Sequence, residues 1–396
     1  MTGQGRDRRP IRLLEVVPGP AGVAAVVEAL PDALAGIGPA LGIAAAGEAD
    51  HAVRARTTVL GDGAEVGHDV CVVMATSGST GRPRGVLLTA ASLLASAHAA
   101  YRRLGGPGAW TLALPVTGVG GLQVLVRSLV AHVEPVVLSS VGGASPFSPA
   151  EFASATWRLD PSLPAYTSVV PAQAARLLDD ADGLAALRAY EAVLLGGART
   201  PPALLERLLD AQVAAVTTYG MTETSGGMFY DGTALPGAGA RILDADADGV
   251  GRIALSGPTI AAGYLDEEAL TAEVFPDGTH LTGDVGRLRD GVLEVLGRLD
   301  DVVQVGGVNV AVSAVADVLS RVCTDACVLA APDDTWGSRL TAYIVATAST
   351  PDEASLAALV AEQLGRAAVP RTWVHLAAIP HLPNGKPDRE ALRHLT

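Results

Sequence analysis

The sequence predicts an α/β fold with a large N-terminal α/β domain, which includes a small β subdomain, and a smaller C-terminal α/β domain. Short apolar stretches such as residues 69–75 alternate with helix-like stretches such as 121–130, which is typical of a largely parallel sheet covered by helices. From about residue 231 the chain changes to short alternating segments separated by turns, which indicates the β subdomain. Towards the C-terminus helix-like and strand-like segments return. We therefore predict one domain over residues 1–299 and another over residues 300–396.

The composition favours a folded, soluble protein that does not bind nucleic acid. Hydrophobic residues make up 49% of the chain and charged residues only 18%, so the chain can bury a substantial core. The 28 basic against 42 acidic residues give a net charge of −14, whereas a nucleic-acid partner needs a basic face. The polar N-terminus does not resemble a signal peptide, and no apolar run is long enough to span a bilayer. With three sparse cysteines, these features predict a cytoplasmic protein with no membrane partner.

The first candidate site is the loop at residues 76–85, which is too rich in glycine and proline for regular structure. Glycine amides can approach a polyphosphate closely, and Arg82 and Arg84 can offset its charge. The loop is not a P-loop, because no Lys-Ser/Thr pair follows its glycines. On the loop alone, a polar surface loop is an equally good interpretation. Beyond it, Thr89 predicts the N-cap of an apolar helix that ends near Gly105.

Five motifs, taken together, are far more specific than the loop. They are the loop sequence at 76–86, Tyr-Gly-Met-Thr-Glu at 219–223, Thr-Gly-Asp at 282–284, Gly-Arg-Leu-Asp at 297–300 and Asn-Gly-Lys-Pro-Asp-Arg at 384–389. They occur in the order found in the superfamily of acyl-CoA synthetases, adenylation domains and luciferases (the ANL superfamily). The sequence therefore resembles an adenylate-forming enzyme over nearly its whole length. This resemblance implies the acyl-CoA synthetase-like fold and the activation of a carboxylate as acyl-AMP.

The resemblance also implies which residues bind ATP and Mg²⁺. The Tyr219 ring is expected against adenine, Thr222 on phosphate and Glu223 on Mg²⁺, for which one carboxylate plus ATP oxygens suffices. Asp284 is expected to accept hydrogen bonds from the ribose hydroxyls, and Arg298 to help at the same sugar unless it is an ordinary surface residue. The predicted nucleotide site comprises Thr76, Ser77, Gly78, Ser79, Thr80, Gly81, Arg84, Gly196, Gly197, Ala198, Tyr219, Gly220, Asp284 and Arg298.

Lys386, in the last motif, matches the superfamily lysine that bridges the attacking carboxylate and the α-phosphate. Its ammonium would stabilise the charge of the transition state, and it forms the predicted catalytic set with Thr222 and Glu223. The resemblance further implies a mobile small domain that rotates about a hinge at Asp300 after adenylation. That rotation would withdraw the lysine and present the Gly306-Gly307 pair, which matches the loop lining the pantetheine channel for CoA.

Within the superfamily the compact N-terminus and the stretches at 114–128, 166–171 and 217–227 resemble actinobacterial o-succinylbenzoate–CoA ligases of menaquinone biosynthesis. Arg127 matches an arginine that these ligases use near the distal carboxylate of the substrate, and a dianionic substrate makes a second cation reasonable. The alternative is that Arg127 only orders the helix that carries it. The predicted substrate-binding residues are Arg127, Thr117, Gly118 and Gly227.

The chain departs from the pattern of these ligases at several positions. Thr117 and Gly118 occupy a stretch in which those ligases usually carry a histidine or an aromatic residue, and this difference reshapes the acyl pocket. Arg84 replaces the usual phosphate-loop lysine and keeps its charge. Gln304 replaces a lysine that is common after the hinge, a change that bears on thioester formation.

Three functions are therefore compared. The first is an o-succinylbenzoate–CoA ligase that uses ATP, Mg²⁺ and CoA. The second is a related enzyme of a specialised pathway that activates another aryl or acyl acid for CoA, a carrier protein or an amine. The third is a catalytically silent nucleotide-binding protein, against which the intact Glu223, Asp284 and Lys386 argue. Relatives are often dimers, so a homodimer is compatible with each of these functions.

Overall fold

Two large β-sheets with helices packed on them form most of the chain, and two small sheets lie in its C-terminal part. The computed structural model describes residues 8–46, 59–76, 83–333, 335–346, 350–380 and 387–395, with only the backbone at residue 300. The strands are β1 (Arg8–Val16), β2 (Ala40–Ala45), β3 (Glu65–Gly67), β4 (Val70–Thr76), β5 (Arg84–Thr89), β6 (Ala109–Leu112), β7 (Val136–Val137), β8 (Ala165–Val169), β9 (Ala192–Leu195), β10 (Ala215–Met221), β11 (Gly226–Tyr230), β12 (Thr233–Ala234), β13 (Gly239–Leu243), β14 (Gly251–Ser256), β15 (Gly263–Tyr264), β16 (Thr279–Arg289), β17 (Val292–Arg298), β18 (Val302–Val305), β19 (Val308–Ala311), β20 (Asp325–Asp333), β21 (Gly337–Val345) and β22 (Thr372–His375). The helices are α1 (Pro20–Leu34), α2 (Ala90–Leu104), α3 (Val119–Ala131), α4 (Pro149–Thr156), α5 (Pro171–Leu178), α6 (Ala181–Arg188), α7 (Pro202–Asp210), α8 (Glu268–Val274), α9 (Val312–Leu319), α10 (Glu353–Leu364) and α11 (Arg389–Arg393).

The larger sheet has the order β13-β14-β16-β17-β12-β11-β10-β9-β8-β6-β7. From β10 to β7 its strands are parallel, as the alternation of strand-like and helix-like segments predicts. From β10 to β13 they are antiparallel and correspond to the predicted β subdomain, which therefore continues the parallel sheet instead of standing apart from it. Strand β10 is where the two halves meet, so the residues at its C-terminal end lie at the change of strand direction, a usual place for ligand sites.

The second sheet has the order β15-β5-β4-β2-β1-β3 and carries the start and the end of the predicted phosphate loop. Strand β4 pairs with β5 in antiparallel register, so that Thr76 lies opposite Arg84. The predicted helix cap is confirmed, because Thr89 accepts a hydrogen bond from the Ser92 amide and Gly105 ends α2 in the left-handed conformation. The described part of the loop is thus anchored on two neighbouring strands.

The C-terminal part has a hydrophobic core of its own. Buried residues of β18, β19, α9, β20, β21 and α10, among them Val315, Leu319, Ile344 and Leu356, form one cluster that is separate from the main core. Strands β20, β21 and β22 form a three-stranded sheet beside it. A separate core is the usual mark of a domain, and the boundary near residue 300 stays a prediction. In the described ranges, no helix is both long and apolar enough to cross a membrane.

Candidate active site

Three predicted nucleotide-binding residues, contributed by three different motifs, meet at one carboxylate. The Tyr219 hydroxyl donates a hydrogen bond of 2.7 Å to Oδ2 of Asp284, and Arg298 Nη1 donates one of 3.3 Å to Oδ1. Strand register brings two of them together, since Asp284 on β16 lies opposite Arg298 on β17. Burial, and then the negative charge of Asp284, raise the pKa of Tyr219 well above its ordinary value. The phenol is therefore protonated and acts as a donor to the carboxylate.

The rest of the Thr-Gly-Asp motif holds this carboxylate in place. Thr282 Oγ1 accepts a hydrogen bond of 3.0 Å from the Asp284 amide and donates one of 2.7 Å to the Ile253 carbonyl. A Cβ atom at Gly283 would lie 2.8 Å from Arg298 Nη2, so glycine leaves room for the guanidinium beside the carboxylate. Neither role was predicted from the sequence, because the Ile253 carbonyl and the Arg298 guanidinium lie on neighbouring strands.

Gly220 and Gly227 lie opposite each other on β10 and β11, where the two backbones come very close. A Cβ atom at Gly220 would lie 2.1 Å from the Gly226 carbonyl oxygen, so no other residue fits there without a shift of the backbone. Immediately after this contact the chain turns through Thr222–Thr224, and the Thr224 hydroxyl accepts a hydrogen bond of 2.9 Å from the Met221 amide. The turn presents the half-buried Thr222 and Glu223 beside Tyr219.

Glu223 has a partner that sequence reasoning missed. The Tyr264 hydroxyl donates a hydrogen bond of 3.1 Å to Glu223 Oε1. Burial, and then the charge of Glu223, raise the pKa of Tyr264 well above its ordinary value. The Arg84 guanidinium carbon lies 5.6 Å from the centre of the same ring, and its Nε lies 3.7 Å from Glu267 Oε2. The phosphate-loop strand and the predicted Mg²⁺ ligand therefore share one aromatic neighbour.

The predicted segment beside the adenine follows β9, next to the end of β10. Gly197 has a φ of +78°, and a Cβ atom at Gly196 would lie 2.7 Å from Thr218 Oγ1, the residue before Tyr219. Ala198 continues this turn. Of the predicted phosphate-binding residues, Thr76 and Arg84 are described, whereas Ser77, Gly78, Ser79, Thr80 and Gly81 lie outside the described residues.

Comparison with known proteins identifies the family. The chain matches the sequence model of AMP-binding enzymes over residues 38–265 and that of the AMP-binding enzyme C-terminal domain over residues 313–386. The protein belongs to the AMP-binding enzyme family. A protein of Mycobacterium tuberculosis named "Probable 2-succinylbenzoate–CoA ligase" is 41% identical over 337 residues, which are 83% of this chain and 85% of that one. The 2-succinylbenzoate–CoA ligase of Listeria monocytogenes is 32% identical and covers 81% of this chain and 69% of its own.

Solved structures confirm the predicted fold of this AMP-binding enzyme. The o-succinylbenzoate CoA synthetase of Bacillus subtilis in complex with ATP and magnesium ion has a TM-score of 0.78 at 22% identity, covering 97% of this chain and 89% of that one. The amide bond synthetase of Marinactinospora thermotolerans has a TM-score of 0.74 at 23% identity, covering 98% and 90%. The large domain with its β subdomain and the small C-terminal domain are thus an acyl-CoA synthetase-like arrangement.

The predicted substrate residues of the AMP-binding enzyme do not come together at one point. Thr117 and Gly118 form the turn before α3, with Gly118 as its N-cap, whereas Arg127 lies nine residues further on, about 13 Å along the helix. The Arg127 side chain is buried and stacks on Trp110 at 4.9 Å, while its Nη2 donates to the Tyr230 hydroxyl at 3.2 Å. These contacts agree with the alternative that Arg127 orders its helix, and its contact with a substrate stays a prediction.

The predicted hinge and CoA loop are short turns. Residue 300 lies within the 3₁₀ turn Leu299–Asp301, and both terminal nitrogens of Arg389, in the last motif, lie 3.2 Å from the buried Asp301 Oδ1. Gly306 and Gly307 have φ values of +59° and +80° and close the tight turn between β18 and β19. Lys386 lies outside the described residues.

One ion pair links the small domain of the AMP-binding enzyme to the turn after β9. Arg199 follows the predicted adenine segment, and its guanidinium donates to the carboxylate of Asp317 on α9. The pKa of Asp317 is raised from its ordinary value, because the effect of burial exceeds the opposing effect of the Arg199 charge. This contact, which was not predicted from the sequence, joins α9 to the turn that carries the predicted adenine segment.

Proposed function

We propose that this AMP-binding enzyme converts a carboxylic acid and ATP into an acyl-AMP and pyrophosphate, and then transfers the acyl group to CoA as a thioester. The observation that carries the proposal is the convergence of Tyr219, Asp284 and Arg298 beside the turn that bears Glu223. These groups come from the motifs whose family roles concern adenine, ribose and phosphate.

The state of Asp284 suits a ribose. Among the described residues, each of its oxygens accepts one hydrogen bond, whereas an ionised carboxylate offers about four acceptor sites. Two sites are therefore left for donors, and a ribose brings two hydroxyls on adjacent carbons. The two protein donors fix the orientation of the carboxylate before the nucleotide arrives, so little ordering is required on binding.

The residues around Glu223 fit a magnesium ion that arrives with ATP. Within the described part of the chain, no group of three or more His, Cys, Asp or Glu side chains could hold a metal ion by itself. Mg²⁺ keeps several waters and is commonly bound by one or two carboxylates plus substrate phosphates, which a single Glu223 satisfies. When bound, the ion would offset the charge of the phosphates. Arg84, at the end of the phosphate loop, would add a positive charge from the protein.

The remaining roles follow the resemblance. Lys386 would stabilise the charge that builds up as the acid attacks the α-phosphorus, and Thr222 would contact phosphate. After pyrophosphate leaves, a rotation at Asp300 would bring the Gly306-Gly307 turn towards the acyl-AMP. Glycine at both positions suits close approach to the narrow pantetheine arm of CoA.

For the acid we propose o-succinylbenzoate, which places the enzyme in menaquinone biosynthesis. The support is the 41% identity, over most of both chains, to a relative whose name carries that activity. A second candidate is another aryl or acyl acid of a specialised pathway, with CoA, a carrier protein or an amine as acceptor. The burial of Arg127 among aromatic rings favours it, because a distal carboxylate would need a guanidinium that it can reach.

The test is acid-dependent release of pyrophosphate from ATP and Mg²⁺ over a panel of acids, each with and without CoA. Turnover of o-succinylbenzoate that requires CoA supports the first candidate. Turnover of another acid, with none of o-succinylbenzoate, supports the second. No turnover of any acid, together with no binding of ATP, would refute the proposed activity.

A cytoplasmic location is supported by three buried cysteines without disulfides. A homodimer stays a prediction.

A further inference from the structure

Tyr264 lies between two functional groups that the family motifs treat separately. Its hydroxyl donates to Glu223 Oε1 at 3.1 Å, and its ring faces the guanidinium of Arg84 at 5.6 Å. The side chain is only 7% exposed, so both contacts form inside the protein. One tyrosine thus contacts the predicted Mg²⁺ carboxylate with its polar end and the positive charge of the phosphate-loop strand with its face.

The backbone fixes this ring with respect to both partners. Strand β15, which carries Tyr264, pairs with β5, and the Leu265 amide donates to the Gly85 carbonyl at 2.8 Å. On the other side, the Ala261 amide donates to the Glu223 carbonyl at 2.9 Å. The segment 261–265 is therefore bonded at one end to the turn that carries Glu223 and along its length to the strand that leaves the phosphate loop.

The side chain itself has little freedom to turn. The Phe275 and Tyr264 rings pack edge to face at 5.3 Å between ring centres, and the Tyr264 amide donates to Thr271 Oγ1 at 2.9 Å. Gly263 has a φ of +139°, and a Cβ atom there would lie 2.3 Å from Thr271 Cγ2, so the approach of α8 to the strand requires glycine. Packing of the ring therefore keeps the hydroxyl oxygen beside Glu223.

We propose that Tyr264 is a positioning residue for adenylation, which orients the Glu223 carboxylate towards MgATP and aligns it with Arg84; this rests on the proposed function. A carboxylate that binds a metal through one oxygen gains from a fixed donor on the other side, because the donor sets its rotamer before the ion arrives. The contact between the Arg84 guanidinium and the face of the Tyr264 ring keeps this positive charge aligned with the Glu223 carboxylate. In this role Tyr264 acts through Glu223 and Arg84 and not as a catalytic residue.

The test uses Tyr264→Phe, which keeps the ring, the Phe275 contact and the Arg84 contact and removes only the hydroxyl. The readout is the rise in melting temperature that ATP produces with Mg²⁺ compared with ATP and EDTA, titrated over Mg²⁺ concentration. We expect the half-saturating Mg²⁺ concentration to rise roughly tenfold, as for the loss of one hydrogen bond to a charged group, with an unchanged response to ATP in EDTA. The same shift is expected in the Mg²⁺ dependence of pyrophosphate release.

Tyr190→Phe is the matched control. Its hydroxyl is also buried and bonds to Thr156 and Thr111 at 2.8 Å each, and none of these three residues belongs to the predicted site. It should lower the melting temperature of the free protein without changing the Mg²⁺ titration. A Tyr264→Phe titration that coincides with that of the wild type would overturn the proposal.

A double-mutant cycle separates positioning from general packing. With Glu223→Gln as the second change, Tyr264→Phe should add little, because the carboxylate that it orients is gone. Independent, additive effects would mean that Tyr264 acts by another route and would also overturn the proposal. If wild-type protein shows no Mg²⁺-dependent response to ATP, the proposed function fails, whereas a wild-type response that Tyr264→Phe leaves intact refutes the role of Tyr264 alone.

Discussion

His280 should make the large domain lose stability in mild acid. The ring is buried on β16, it stacks on Phe275 at 4.8 Å, and its Nδ1 has no hydrogen-bond partner among the described residues. Burial, helped by the charge of Arg252 and opposed by the Val274 backbone, lowers the pKa of His280 to about 4 from 6.5. Below pH 6.5 His280 is therefore protonated in the unfolded chain, whereas in the folded chain it stays neutral until about pH 4.

The size of the effect follows from this difference. Because the unfolded state binds more protons, the free energy of unfolding falls as the pH falls from 6.5 to 4, by about 3 kcal/mol in all and by about 2 kcal/mol at pH 5. Below pH 4 both states are protonated at this site and the loss stops. At pH 7.5 neither state is charged there, so the effect is absent.

The assay is urea unfolding followed by circular dichroism at pH 7.5 and pH 5, for the wild type and for His280→Gln. The variant should lose about 2 kcal/mol less than the wild type between the two pH values, since it cannot take up the proton. His98→Gln, an exposed histidine on α2, is the matched control and should behave as the wild type does. Equal pH dependence in wild type and His280→Gln would refute the reasoning.

Three further predictions concern the catalytic cycle. Lys386→Ala should reduce acyl-AMP formation by about a hundredfold or more, while thioester formation from supplied acyl-AMP survives; equal loss of both, in separate half-reaction assays, would contradict the hinge account. Asp284→Asn should raise the KM for ATP about tenfold or more, because the acceptor for the ribose hydroxyls loses its charge, and an unchanged KM would argue against a ribose role. Arg199→Asp and Asp317→Arg should each change the ratio of the two half-reaction rates by no more than about fivefold, as expected for a partly exposed ion pair. The double variant should restore the ratio, and a failure to do so would mean that the pair does not control the small domain.

The sequence alone predicts the fold and much of the nucleotide site, for a physical reason. In a parallel sheet the loops at the carboxyl ends of the strands collect ligands, so a short motif directly after a strand already says where its side chains will lie. Tyr219, near the C-terminal end of β10, fits this rule, whereas Asp284 lies within the antiparallel strand β16 and is predicted only from the resemblance of its motif. The Thr89 cap is equally local, since its partner Ser92 lies three residues away.

What the sequence could not predict depends on contacts between distant segments. Tyr264 and Glu223 are hydrogen-bonded although 41 residues separate them in the sequence, and Arg199 and Asp317 although 118 residues separate them. Neither Gly263-Tyr264 nor the isolated Arg199 carries a pattern that distinguishes it from ordinary surface or core residues. The continuity of the β subdomain with the parallel sheet was missed for a similar reason, because it rests on the pairing of β10 with β11 and not on any periodicity.

The same distinction explains why the acid is harder to identify than the nucleotide. The groups that would hold ATP belong to short motifs, so they keep their spacing in the sequence, and strand register brings Asp284 and Arg298 together. The predicted acyl residues instead lie along α3 and on β11, and their side-chain directions depend on how these elements pack. Arg127 illustrates the point: its position in the sequence predicts a substrate contact, whereas packing against Trp110 and Tyr230 buries its guanidinium. A pocket formed by the faces of packed elements can change its preferred acid through a few buried substitutions while every nucleotide motif stays intact, which is why the panel of acids, and not a further motif, decides between the two candidate functions.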